Sequence, residues 1–172
     1  MNRQNHCIVK TQLLPTRNDL PKKTRQAMVD LLNQHLADGI DLGLQAKQAH
    51  WNVKGPNFIA LHELFDQVAD AAVRFTDEFA ERAVALGGVA LGTVQRVASQ
   101  SSLAAYPVDI LSGREHVANL ASALAGFGQS VRAAVDTAAR FGDADTADLF
   151  TGVSRDVDKL LWMVEAHAQA AD

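Results

Sequence analysis

His62, Asp66, Asp77 and Glu81 have the residue types and the spacing to hold a metal ion. Imidazole nitrogens and carboxylate oxygens are the ordinary ligands of divalent iron, manganese and zinc. His62 and Asp66 stand four residues apart, as do Asp77 and Glu81. On a helix advancing about 100° per residue, with His62 at zero, Asp66 lies near ~40°, Asp77 near ~60° and Glu81 near ~100°. All four share one stripe, and each pair is half of a metal site. A single His-x-x-x-Asp pair is equally well explained by a solvated helix face. Two pairs on one stripe ask for more.

One chain cannot close this site. The midpoints of the two pairs are 15 residues apart, about 22 Å along a helix axis, whereas metal–ligand bonds are about 2 Å long. A second copy can close it. If the same helix of a second chain runs antiparallel about a twofold axis near residues 71–72, His62 and Asp66 of one chain face Asp77 and Glu81 of the other. The symmetry then gives two equivalent sites. His50, in "KQAHWNVKGPNF" at positions 47–58, sits where a preceding helix ends at a Gly-Pro break and is placed to join His62. The bland alternative for His50 is a capped or packed helix-end histidine. Two imidazoles and several carboxylates with open positions suit iron(II), with manganese and zinc as less selective substitutes. A closed structural zinc site favours thiolates, and Cys7 is the chain's only cysteine. No Glu-x-x-His motif is present, which argues against a di-iron site built inside one bundle. Asp70 and Arg74 fall near the twofold axis. They either pair across it or form an ordinary i,i+4 pair.

Four helices would position these groups. The first spans about 21–51, with Met28, Leu31, Leu32, Leu36 and Ile40 on one face. The second spans about 57–86, with an apolar stripe of Phe58, Leu61, Phe65, Val68, Ala72, Phe75, Phe79 and Leu86. Gly87-Gly88 stops it. The third begins at Ser112, where Ser112 and Glu115 have capping-box spacing, and ends near Gly142. The fourth spans about 145–169. Short connections make two antiparallel hairpins. The roughly 25 residues between the second and third helices can run the length of a bundle, even with a helical turn or two inside. The fold class is therefore all-α: a ferritin-like four-helix bundle with a long crossover between helices 2 and 3 that carries a short helix.

Composition agrees. A chain of 172 residues is 48% hydrophobic, enough for one domain with a real core. No apolar run reaches the roughly 20 residues of a membrane span, and "MNRQNHCIVK" lacks an apolar core of signal-peptide length. A single cysteine permits no internal disulfide and fits a reducing, cytoplasmic location. Residues 1–25 carry six basic side chains and one acid, net +5; the whole chain is −4, leaving −9 for the rest. Residues 1–20 read as a flexible basic arm and 21–172 as the bundle domain. The "CIV" and "LLP" stretches within the arm are apolar enough to lie on the body instead.

The motifs "LLPTRNDL", "KQAHWNVKGPNFIALHELFD", "DEFAERAVALGGVALGT", "YPVDI", "DTADLF" and "SRDVDKLLW" resemble those of the Dps family, the DNA-binding proteins from starved cells, across nearly the whole chain. The resemblance implies a homododecameric shell with a ferroxidase centre at each dimer interface. It carries the family's ligands onto His50, His62 and Asp66 of one chain and Asp77 and Glu81 of the other. It implies that Fe(II) is oxidised there, preferentially by hydrogen peroxide, and that Fe(III) is stored inside as mineral, which protects DNA. It gives Trp51 a catalytic part as electron donor, with Trp162 as a second candidate; for both, core packing is the bland account. Asp143, Asp145 and Asp148 either line an iron-entry pore or serve the start of the last helix as cap and dipole partners. Twelve basic arms would bind DNA without sequence preference and with steep salt dependence, in a cytoplasmic, nucleoid-associated protein. The competing readings are a DNA-compacting nucleoid protein whose metal binding is incidental, and a helical bundle whose polar stripe is only a hydrated interface.

Overall fold

Residues 12–169 are described by the computed structural model. They form five helices: α1 (Lys22–Asn52), α2 (Phe58–Ala85), α3 (Val94–Gln100), α4 (Gly113–Arg140) and α5 (Ala144–Glu165). No strand occurs among the described residues. The helices α1 and α2 form one antiparallel hairpin, and α4 and α5 the other. The crossover between them carries the seven-residue α3. The last helix stops at Glu165, short of the expected 169, and passes into turns.

The helix ends follow from local chemistry. Ser112 and Glu115 form a complete capping box at the start of α4. Gly87, at φ 84°, lets the chain leave α2 through a left-handed turn. Asp143 caps α5 by accepting from Thr146 N. Lys54, in the α1–α2 turn, donates its N–H to Leu111 O and accepts from Gly113 N, which clips the end of one hairpin to the start of the other.

The core is the stripe expected from the sequence. Met28, Leu32, Phe65, Phe79, Leu120, Leu124, Phe127 and Phe150 are fully buried. Phe58 is the exception on α2: it is 37% exposed and stands 5.1 Å from the His62 ring instead of entering the core. The chain before α1 also touches the bundle. Leu13 is buried, Leu14 N donates to Gly87 O, and Arg25 donates to Leu86 O. The "LLP" stretch therefore lies on the body. Arg3, Cys7, Lys10 and the rest of residues 1–11 lie outside the described residues.

What holds the crossover down is a polar stripe on α1. Asn33 donates to Val89 O and accepts from Leu91 N; Gln34 donates to Gln100 O; Asp38 accepts from Ser102 N; Asp41 accepts from Ser101 Oγ; Gln45 donates to Ala104 O. Residues 34, 38, 41 and 45 repeat at helical spacing. They satisfy backbone groups at the end of α3 and in the irregular chain after it that would otherwise be left unpaired.

Helix α1 approaches α2 closely at Gly39. A Cβ there would lie 2.8 Å from Thr76 Cγ2. Gly39→Ala is expected to destabilise the bundle by about 1–3 kcal/mol through overpacking, read as a shift in the urea-unfolding midpoint. Burial also sets a pH dependence. His116 is 1% exposed, and desolvation holds its imidazole below the usual histidine value. Native His116 therefore stays neutral where the unfolded chain binds a proton. Stability is complete above the unfolded value of about 6.5 and declines as pH falls below it. Thermal unfolding between pH 7.5 and 5 should show this decline, with a shallower slope for His116→Phe.

Candidate metal centre

The turn at Val53–Asn57, with Gly55 at φ 122°, brings the last turn of α1 against the first turns of α2. There His50 and His62 bond reciprocally. His50 Nδ1 donates to His62 O at 2.8 Å, and His62 Nδ1 donates to His50 O at 2.9 Å. A carbonyl only accepts, so each Nδ1 carries its hydrogen and, in the neutral ring, each Nε2 keeps its lone pair. The two rings stack with centroids 3.6 Å apart and planes at 21°. A backbone carbonyl on one ring nitrogen is the usual device that fixes the orientation of a metal-binding histidine.

Asp66 stands one turn beyond His62. Its Oδ1 lies 3.9 Å from His50 Nδ1, and it forms an ion pair with Lys47 of α1. The Lys47 hydrogen bond holds the Asp66 carboxyl below the usual carboxylate value. Partial desolvation opposes that shift, and the Lys47 charge reinforces it, as do His50 and His62 when protonated. Lys47 was not among the sequence candidates. The signal was its position three residues before His50, on the same face of one helix.

Asp77 and Glu81 are exposed on α2. Asp77 is 11 residues from Asp66, about 16 Å along the axis. A single chain thus stacks His50 on His62 with Asp66 one turn further on, and holds Asp77 and Glu81 apart from them. Among the described residues of one chain, no three His, Cys, Asp or Glu side chains gather into a group able to hold an ion.

The second pair is braced from behind. Arg82, next to Glu81, donates to Asp143 Oδ1 at 2.7 Å and to Thr146 Oγ1 at 3.0 Å. Asp143 is 2% exposed and also accepts from Thr146 N and Oγ1. This overturns the pore reading for Asp143: it is a buried cap and ion-pair partner, committed to Arg82 and α5. Asp145 and Asp148 remain exposed. Two further readings change. Within the chain Arg74 pairs with Asp156 of α5 at 3.5 Å, which replaces the i,i+4 pair with Asp70. Trp51 and Trp162 are 64% and 63% exposed, so core packing within the chain accounts for neither.

Two hairpins joined by one long crossover, with histidine and carboxylate side chains on the paired helices α1 and α2, have the architecture of a ferritin-like protein. The ferritin-like domain family matches residues 29–172. The DNA protection during starvation protein of Agrobacterium fabrum is 47% identical over 154 residues, covering 90% of this chain and 95% of that one. A protein of the same description, number 1 in Deinococcus radiodurans, is 32% identical over 147 residues, covering 86% and 71%. Among solved structures, DpsA14 from Streptomyces coelicolor superposes with TM-score 0.88 at 33% identity, covering 94% of this chain and 96% of that one. DpsC of the same organism gives 0.89 at 28%, covering 94% of each. The chain belongs to the Dps family. No helix among the described residues is long and apolar enough to cross a membrane.

Proposed function

We propose that this protein is an iron-storing ferroxidase whose centres form between two subunits. The observation that carries the reading is the reciprocal bond between His50 and His62, which fixes the tautomers of two stacked imidazoles and leaves each Nε2 lone pair free for a metal. In this reading His50, His62 and Asp66 of one chain and Asp77 and Glu81 of its twofold mate bind the substrate Fe(II). Zn(II) and Mn(II) would compete for the same donors. The oxidant is hydrogen peroxide in preference to oxygen, the product Fe(III) is stored as mineral within a homododecamer, and Trp51, exposed beside His50, supplies electrons. Lys47 neutralises Asp66 before the metal arrives and gives way to it. Support also comes from the ferritin-like fold and from relatives named for DNA protection during starvation.

Stopped-flow absorbance tests this directly. Anaerobic Fe(II) is added to the oligomer, then hydrogen peroxide, beside a His62→Ala/Asp66→Ala control. Fast oxidation that the control lacks supports the centre. A rate equal to that of protein-free buffer contradicts it.

The reading includes a second activity, sequence-independent DNA binding by the basic N-terminal residues in a cytoplasmic, nucleoid-associated protein. Binding should be weak to moderate and fade as salt rises, because phosphate contacts release counterions. Deletion of residues 1–17 should abolish the low-salt gel shift. An unchanged shift would assign DNA binding elsewhere and remove the arm's role.

A further inference from the structure

Tyr106 is the chain's single tyrosine. It lies on the crossover, with its hydroxyl 2.9 Å from His116 Nδ1 of α4. The two rings are nearly parallel, at 14° with centroids 6.1 Å apart. His116 is almost completely buried, and its Nε2 has no hydrogen-bond partner among the described residues. If the phenol donates to Nδ1, the imidazole hydrogen sits on Nε2, which makes no well-formed bond although the Ile110 backbone lies near. A buried donor so poorly paired costs free energy, and an apolar ring at position 116 would fill the same space without it. The histidine therefore adds something packing does not require: a base against the phenol.

We propose that Tyr106 and His116 form a proton-coupled redox pair that quenches an oxygen-centred radical arriving from the groove along the crossover. Tyr106 lines that groove with Gln45, Ser102, Leu103, Asn119 and Ser122. A hydroxyl radical takes one electron from the phenol and becomes hydroxide. The Tyr106 O–H bond breaks, and its proton bonds to His116 Nδ1. The products are a neutral phenoxyl radical, an imidazolium and hydroxide. When hydroxide collects the imidazolium proton through solvent, the net change is one hydroxyl radical and one phenol to one water and one phenoxyl. Loss of the electron alone would leave a radical cation at a half-buried site, where an unpaired charge is costly. The 2.9 Å bond passes that charge to the His116 imidazole as it forms, and the proton transfer to hydroxide then removes it. Burial raises the Tyr106 hydroxyl above its ordinary value and lowers His116, so before reaction the phenol holds its proton and the imidazole is free to take it.

The step needs no metal, so its test is independent of the ferroxidase reading. Metal-free, full-length protein is oxidised by azide radical in pulse radiolysis, and the phenoxyl absorption is followed. A phenoxyl signal can come only from Tyr106, because there is no other tyrosine. Tyr106→Phe should abolish it, and His116→Phe should slow its formation by about 100-fold, the scale of a positioned base. High-field electron paramagnetic resonance of the wild-type radical in D2O should show a strongly coupled exchangeable deuteron from His116, a readout that stands even if the His116 variant fails to fold. Oxidation that stops at tryptophan, formation at an unchanged rate in His116→Phe, or a wild-type radical without deuteron coupling would overturn the proposal.

Discussion

His50→Ala is expected to lower the rate of Fe(II) oxidation by about 10- to 100-fold or more while the bundle stays folded. Loss of a group that merely orients a metal ligand typically costs ~10–100-fold, and His50 is proposed as a ligand itself. The variant is also a clean one. His62 Nδ1 bonds to the backbone carbonyl of residue 50, which alanine retains, so the orientation of His62 survives. What disappears is one Nε2 lone pair, the Nδ1 bond to His62 O and the stacked ring above His62. The His50 side chain is 13% exposed, and the void it leaves opens near the Lys47–Asp66 pair rather than in the main core. Stopped-flow rates at matched peroxide, with unfolding midpoints measured alongside, separate a lost ligand from a lost fold. An unchanged rate would remove His50 from the centre.

Arg82→Ala should have the largest effect on stability. Removing one partner of a buried ion pair costs about 3–5 kcal/mol, because it strands the other charge. The stranded group here is Asp143, 2% exposed and set between α2 and α5. Its two bonds from Thr146 remain, but they do not replace a guanidinium. Arg82→Ala/Asp143→Asn should recover part of the loss, since asparagine can still accept from Thr146 N without a charge to compensate. Urea unfolding at one fixed protein concentration measures both, because the proposed assembly would make apparent stability concentration-dependent. A cost for Arg82→Ala below about 1 kcal/mol would place the pair with ordinary surface bridges. The same brace ties the end of α2 that carries Glu81 to α5, so Arg82→Ala should also loosen the Asp77–Glu81 pair.

The sequence made the helices legible because their signals are local. Ser112 and Glu115, Gly87 and the apolar stripe of α2 each act within a turn or two, and each appears where expected. The clustering of His50 with His62 was legible because a five-residue turn joins the helices that carry them. Contacts between distant segments were not. Nothing in "RFGDADTADLF" indicates that Asp143 is buried against Arg82, which lies 61 residues away. The polar stripe at Gln34, Asp38, Asp41 and Gln45 reads as a solvated face until the crossover is laid upon it. The tryptophans mislead for the same reason. Large indoles usually pack, yet Trp51 and Trp162 project from the chain.

The central claim is that each centre takes its halves from two chains, and subunit mixing tests it most directly. One variant carries His62→Ala/Asp66→Ala and the other Asp77→Ala/Glu81→Ala. In a mixed twofold dimer, both defects fall on one site and the other site is intact. Each variant alone should oxidise Fe(II) with peroxide no faster than buffer, and co-assembled particles should regain activity in proportion to the share of mixed dimers. Co-assembled particles as inactive as their parents would contradict the shared centre.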